Sequence, residues 1–267
     1  MDENPASPVA PARVAQEDQY RFPYHYLPVF SDGQFRQHEY WSWGYRYLGR
    51  LRVTLDLLQG LSFGSLVDLG CGDGRFLAEV NARFPGKELV GIDSSAKAIS
   101  LARRMNPGVR YECMDILEEL PDAKCDVVTL LEVIEHIPVR SLSRFLSAAV
   151  DLLRPGGHLI LSVPHVNAKI PEKHFRHFDA KALRGVLPSC LTVIKMFPFD
   201  YGSLFLGAIV KLMGGAGRYY IVTHPGLANF VFRYYMDRCL YGEGEGGCRR
   251  LACIAQKEMV KDRTSGR

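Results

Sequence analysis

The apolar run Ser65-Leu66-Val67-Asp68-Leu69, the turn Gly70-Cys71-Gly72-Asp73-Gly74 and the helical pattern over 75–84 constrain the chain more than any other stretch. A short apolar run bounded by glycines predicts a buried parallel strand, and the spacing after it predicts a helix. Glycine reaches backbone angles closed to other residues and carries no Cβ, so a ligand can lie against the backbone where that helix begins. The dinucleotide fingerprint Gly-x-Gly-x-x-Gly builds a similar loop. Here the third glycine comes one residue early, and Asp68 puts a carboxylate where a pyrophosphate would be repelled and an ammonium attracted. The pattern therefore points away from NAD, and an NAD-linked oxidoreductase stays as a competing class.

The alternation continues along the chain. Residues 88–93, 109–113, 125–131, 158–163, 192–197 and 251–255 read as six further strands, with helices over 95–105, 142–153 and 179–187 among them. The helix over 142–153 is expected to stop at Arg154-Pro155-Gly156-Gly157. Such alternation implies an α/β fold, a seven-stranded mainly parallel sheet with helices on both faces. Asp93 ends the second strand about 20 residues past the glycine loop, where an α/β nucleotide site places an acid on ribose hydroxyls. It reads equally as a cap for the next helix. The fourth strand ends at Leu131, at the ligand edge of such a sheet, and runs into Glu132-Val133-Ile134-Glu135-His136.

At 267 residues, 47% apolar and 23% charged, the chain is long enough for one large soluble domain. The net charge of +4 is spread out, with no aromatic-interleaved basic stripe to indicate nucleic acid. Seven scattered cysteines without a Cys-x-x-Cys support neither a disulfide framework nor a zinc knuckle, and make a reducing cytoplasm the default. No apolar run approaches the roughly 20 residues of a membrane span. The expected organisation is a disordered leader over 1–19, an aromatic N-terminal arm with lid helices over 20–60, the main domain over 61–258 and a disordered tail over 259–267. In the arm, Arg36, Tyr40 and Trp43 are placed to close over a ligand, or else pack on the core. A greasy insertion over 201–247 reads as a structural cap, a hydrophobic substrate pocket, or a peripheral face on a bilayer with Lys211, Arg218 and Arg233 near head groups.

Together, Asp-Leu-Gly-Cys-Gly-Asp-Gly at 68–74, Asp93, Asp115, Glu-Val-Ile-Glu-His at 132–136 and Leu-Arg-Pro-Gly-Gly at 153–157 resemble the class I S-adenosylmethionine-dependent methyltransferases. The Glu-x-x-Glu-His element and the later His-Phe-Arg-His-Phe resemble the broad branch that holds the quinone-biosynthesis O-methyltransferases. The resemblance implies a Rossmann-like fold whose last strand enters antiparallel, and S-adenosyl-L-methionine as cofactor. Asp68 and the loop of Gly70, Cys71, Gly72 and Gly74 would hold the methionine part, Asp93 and Ser94 the ribose, and Asp115 and Ile116 the adenine. Leu131 and Glu132 would face the methyl group. Asp115 is otherwise an ordinary turn residue.

An oxygen acceptor, small or lipid-linked, must also lose a proton, and His136 is the candidate general base, unless it only braces the turn after the strand. Glu132, Glu135 and His136 with His174 or His177 also resemble the divalent-metal site of the small-RNA 2′-O-methyltransferases. A non-catalytic cofactor-binding module on the same fold is the remaining class.

Overall fold

The chain runs β1 (Val29–Ser31), β2 (Gln34–Arg36), β3 (Tyr40–Trp41), α1 (Gly44–Gln59), β4 (Ser65–Leu69), α2 (Arg75–Arg83), β5 (Glu88–Asp93), α3 (Ala96–Met105), β6 (Arg110–Cys113) and β7 (Cys125–Leu131). A 3₁₀ turn (Ile134–His136) leads to α4 (Val139–Asp151), β8 (Leu153–Pro164), α5 (Ala180–Val186), β9 (Leu191–Tyr201), α6 (Leu204–Leu212), β10 (Tyr219–Tyr220), α7 (Pro225–Arg238) and β11 (Cys248–Lys257). This computed structural model describes residues 44–121, 124–213 and 225–259, with shorter pieces at 26, 28–31, 33–36, 40–41 and 219–220. The expected leader, the side chains of Arg36, Tyr40 and Trp43, Arg218, and the tail after Met259 lie outside the described residues.

Seven strands form one sheet in the order β6-β5-β4-β7-β8-β11-β9. β4 pairs in parallel with both β5 and β7, whereas β11 runs antiparallel to β8 and to β9. Strand order therefore reverses between β4 and β7, and the crevice at their C-terminal ends is where such a sheet takes a ligand. The mainly apolar character of these strands follows from burial on both faces. Leu66, Val127 and Ile160 join one core with Leu58 of α1, Leu77 of α2, Ile99 of α3 and Tyr235 of α7. Their neighbours Val67, Val128 and Leu161 point the other way, into a core with Leu146 of α4 and Leu183 of α5.

Two local expectations are corrected by the fold. The helix expected over 142–153 already begins at Val139 and ends at Asp151, and Leu153 pairs with Cys125, so Arg154-Pro155-Gly156-Gly157 is the irregular entry of β8 rather than a helix stop. A register shift between Cys125 and Val127 absorbs the proline, which has no N–H to give to a ladder. The cap of α3 is Ser95, whose hydroxyl accepts from Ala98 N at 3.2 Å, and this leaves Asp93 to other partners.

The aromatic arm and the insertion pack on each other. The rings of Phe35 and Phe232 stack at 4.9 Å, the Phe35 N–H donates to Asn229 at 2.6 Å, and Tyr45 meets Tyr235 edge-on at 4.9 Å. At Gly49 a Cβ would lie 2.6 Å from the Tyr235 ring, so glycine is what lets α1 and α7 approach. Among the described residues no helix is long and apolar enough to cross a membrane.

Candidate functional site

The glycine loop is drawn over the end of β5. Gly70, Gly72 and Gly74 all have positive φ, and the Gly70 and Cys71 N–H groups both donate to Ile92 O. A Cβ at Gly70 would stand 2.6 Å from Val133 Cγ2, so glycine is required by contact as well as by φ. The Asp93 carboxylate accepts from Gly72 N at 3.0 Å and Ser95 N at 2.8 Å, tying the loop to the strand tip. Tyr26, from the N-terminal arm, donates to Asp73 O at 2.9 Å and accepts from Asn106. The arm therefore reaches the loop.

Beside this loop lies a cavity of about 400 Å³. Gly70, Asp93 and Ser94 line one part of it, Asp115 and Ile116 the next, and Glu132 and His136 the far end. Asp115 keeps an Asx turn, accepting from Leu117 N at 3.0 Å. Asp68, Cys71, Gly72, Gly74 and Leu131 are not among the residues that line it. Val133, Phe145, Lys173 and Phe175 also line it; Val133 belongs to the Glu-Val-Ile-Glu-His element and Phe175 to the His-Phe-Arg-His-Phe element, whereas Phe145 and Lys173 carry no such signal in the sequence.

Asp68 is buried beneath the loop and accepts from Thr129 Oγ1 at 2.5 Å. Burial pushes its carboxyl up to about 7; the Thr129 bond works against the rise and the Asp93 charge adds to it. The Cys71 thiol is likewise pushed well above its usual range by burial, then by Asp68 and Asp93, so it is not a nucleophile at neutral pH.

Glu132 turns away from the histidines. Its φ of 58° is left-handed, its N–H donates to Ser162 O at 3.0 Å, and its carboxylate accepts from Arg250 Nε at 2.9 Å with Arg50 at 3.9 Å. Asp200, the other left-handed non-glycine residue among those described, is fully buried and accepts from Arg250, from Arg46 at 3.2 Å and from Tyr235 at 3.0 Å. Arg250 thus bridges two strained acids. Burial alone would raise both carboxyls; Arg250, with Arg50 at Glu132 and Arg46 at Asp200, holds them below the ordinary range.

Among the described residues, those gathered tightly enough to share a cation are Glu135, His136 and His174, with ligand atoms within 4.8 Å of one another. The set expected from the sequence therefore changes. Glu132 leaves it for Arg250, and His177 stands behind His174 at 2.9 Å while also bonding Ala168 O. Glu135 is fully buried with no hydrogen-bond partner on either carboxyl oxygen, and burial followed by the Glu132 charge raises it well above the usual carboxylate range. Because Lys173 O can only accept, the His136 Nδ1 that lies 3.1 Å from it carries the proton. Burial, then Lys173, lowers His136 to about 4; burial, then His136, lowers His174 to about 3. Both imidazoles are neutral at pH 7. His165 braces a loop instead, since Asn167 N–H donates to its Nδ1 and its Nε2 bonds Glu245 at 2.7 Å.

A family model described as a methyltransferase domain matches residues 40–198, more than half of the chain. The chain belongs to the methyltransferase-domain family. Among curated relatives, the ubiquinone biosynthesis O-methyltransferase of Alkalilimnicola ehrlichii is 39% identical over 127 residues, 45% of this chain and 49% of the relative. The trans-aconitate 2-methyltransferase of Azoarcus sp. is 33% identical over 118 residues, 43% of this chain and 46% of that one. The chain thus spans about half the length of these curated relatives. Among solved structures, the N-methyltransferase NodS of Bradyrhizobium japonicum WM9, determined with S-adenosylhomocysteine, superposes with a TM-score of 0.55 at 16% identity, over 79% of this chain and 87% of NodS. A methyltransferase from Archaeoglobus fulgidus gives 0.53 at 18% identity, over 80% and 94%. At such identities the superpositions speak to the fold, which is that of the Rossmann-like methyltransferases.

Proposed function

We propose that this methyltransferase-domain chain uses S-adenosyl-L-methionine to methylate an oxygen of a small or lipid-linked acceptor. The observation that carries the reading is one cavity running from Asp93 and Asp115 to Glu132 and His136. When bound, the cofactor supplies a sulfonium whose methyl is already activated. Asp93 and Ser94 are placed for the ribose, and Asp115 with Ile116 for the adenine. The loop of Gly70, Cys71, Gly72 and Gly74 offers backbone at a helix start, and Val133 and Tyr111 pack where side chains at Gly70 and Gly74 would stand. Leu131 closes the end of β7, and the apolar walls exclude water and fix the line of attack. The O-methyltransferases among the relatives support an oxygen acceptor.

Asp68 gives the methionine end a pH signature. A carboxyl that titrates at about 7 when folded and at 3.8 when unfolded contributes stability below pH 3.8, which is lost as pH rises toward 7. A cationic ammonium nearby reverses the preference and favours the ionised form. S-adenosylhomocysteine is therefore expected to bind about tenfold more tightly at pH 8 than at pH 6, and Asp68→Asn should flatten that dependence. Calorimetry at both pH values checks this, and an equal slope in the variant would remove Asp68 from the role.

His136 as lone base is opposed by its own environment, since a conjugate acid near 4 accepts a hydroxyl proton poorly at neutral pH. The partnerless Glu135 carboxyl favours a second reading, in which Glu135, His136 and His174 hold a divalent cation. The Glu135 carboxylate and the two neutral imidazoles would hold such an ion, which would supply a Lewis acid to an acceptor hydroxyl. Methyl transfer to catechol, followed by mass spectrometry, is expected to fall at least about tenfold after chelation, to return with Mg²⁺ or Mn²⁺, and to fall similarly in Glu135→Gln. Full activity after chelation would return the role of base to His136 alone.

A further inference from the structure

α6, Leu204-Phe205-Leu206-Gly207-Ala208-Ile209-Val210-Lys211-Leu212, is apolar on both sides. Leu206 and Val210 are buried in the core shared with α1 and α7. The opposite face turns to solvent, with Leu204 97% exposed, Leu212 88% and Phe205 52%. Phe205 continues the surface onto α7 by packing against Phe230 and Tyr234, and Phe230 is itself exposed. A helix with a second apolar face is stable against water only when that face is covered.

Charge selects the cover. Residues 201–236 contain no Asp or Glu, yet hold Lys211, Arg218 and Arg233. Lys211 and Arg233 are exposed beside the apolar face. Among the described residues of α6 and α7 the exposed cations Lys211, Arg233 and Arg238 outnumber the one exposed acid, Asp237, and an apolar strip with that excess complements a leaflet of anionic lipids, where apolar side chains enter the acyl boundary and cations stay at head-group level. At nine residues α6 is too short to cross a bilayer, so the fitting pose is in the plane of the surface.

We infer that the outer face of α6, extended by Phe230 of α7, docks this chain on an anionic lipid surface. The inference stands apart from the acceptor's identity. The face begins four residues after Asp200, so the Arg250 bridge ties the membrane-facing element to Glu132 at the cavity.

The test is cosedimentation of the full chain with phosphatidylcholine vesicles, with and without about one-third phosphatidylglycerol. The full chain is expected to pellet with the anionic vesicles, to do so less in high salt, and to stay largely in solution with phosphatidylcholine alone. In Leu204→Glu/Leu212→Glu the pelleted fraction should drop about tenfold while melting temperature and S-adenosylhomocysteine affinity are unchanged, because both side chains are exposed. Retention in the supernatant with anionic vesicles overturns the inference, as does pelleting of the double variant like the parent. A lipid-free dimer that the double variant dissociates would instead assign the face to a second copy. Loss of cofactor binding would count against the cavity reading and leave this one standing.

Discussion

Arg250→Ala is expected to destabilise the fold by about 3–5 kcal/mol, because removing one partner of a buried ion pair leaves the other charge uncompensated, and here two carboxylates lose the same guanidinium. Glu132 and Asp200 both hold left-handed backbone angles at residues other than glycine, a strain kept only while their side chains are anchored. Arg46 remains 3.2 Å from Asp200 and Arg50 3.9 Å from Glu132. For a domain of this size the loss corresponds to a fall in Tm of about 10 °C at pH 7.

The sign of the pH dependence follows from the same contacts. Both carboxyls sit below their unfolded values of 4.5 and 3.8, so the stability they contribute is present above those values and lost as pH falls. The deficit of the variant should therefore be largest near neutrality and shrink in acid. Arg250→Lys, which keeps the charge but cannot form both bonds, should fall between. Urea unfolding of the three proteins measures this, and a deficit under about 1 kcal/mol would mean that Arg46 and Arg50 suffice.

The sheet was legible because its signals are local. Apolar runs of strand length alternate with helical spacing, and Gly70, Gly72 and Gly74 mark a turn that only glycine makes comfortably. Positions at strand tips were legible for the same reason: Asp93, Asp115 and Glu132 follow the strands whose ends open on one edge. The direction a side chain takes there is set by distant partners. Nothing near Glu132 in sequence announces Arg250, 118 residues later, which draws its carboxylate away from His136. Lys173 and His174 meet His136 through a loop whose fold depends on the Phe175 N–H bonding Glu135 O. Asp68 looked like an open cradle acid, yet a strand buried on both faces leaves its side chain indoors beside Thr129. The stop expected at Pro155-Gly156-Gly157 misled because those residues punctuate a strand entry as readily as a helix end.

Asp93 carries the largest consequence for the cofactor. Its two oxygens brace the Gly72 and Ser95 N–H groups and also line the cavity. Alanine there removes the proposed ribose acceptor and releases the loop proposed to cover the methionine part, and losing charge-assisted hydrogen bonds of this kind weakens a ligand by about 100-fold or more. Asp93→Asn, which keeps an acceptor oxygen for the loop, separates loss of the ribose contact from a general loosening. Calorimetric titration with S-adenosylhomocysteine is the most direct measurement: micromolar binding is expected of the parent chain and a loss of about 100-fold in Asp93→Ala, with the folded state verified by its melting curve. Affinity unchanged in that variant, or a parent chain that binds NADH and not S-adenosylhomocysteine, would contradict the cofactor site.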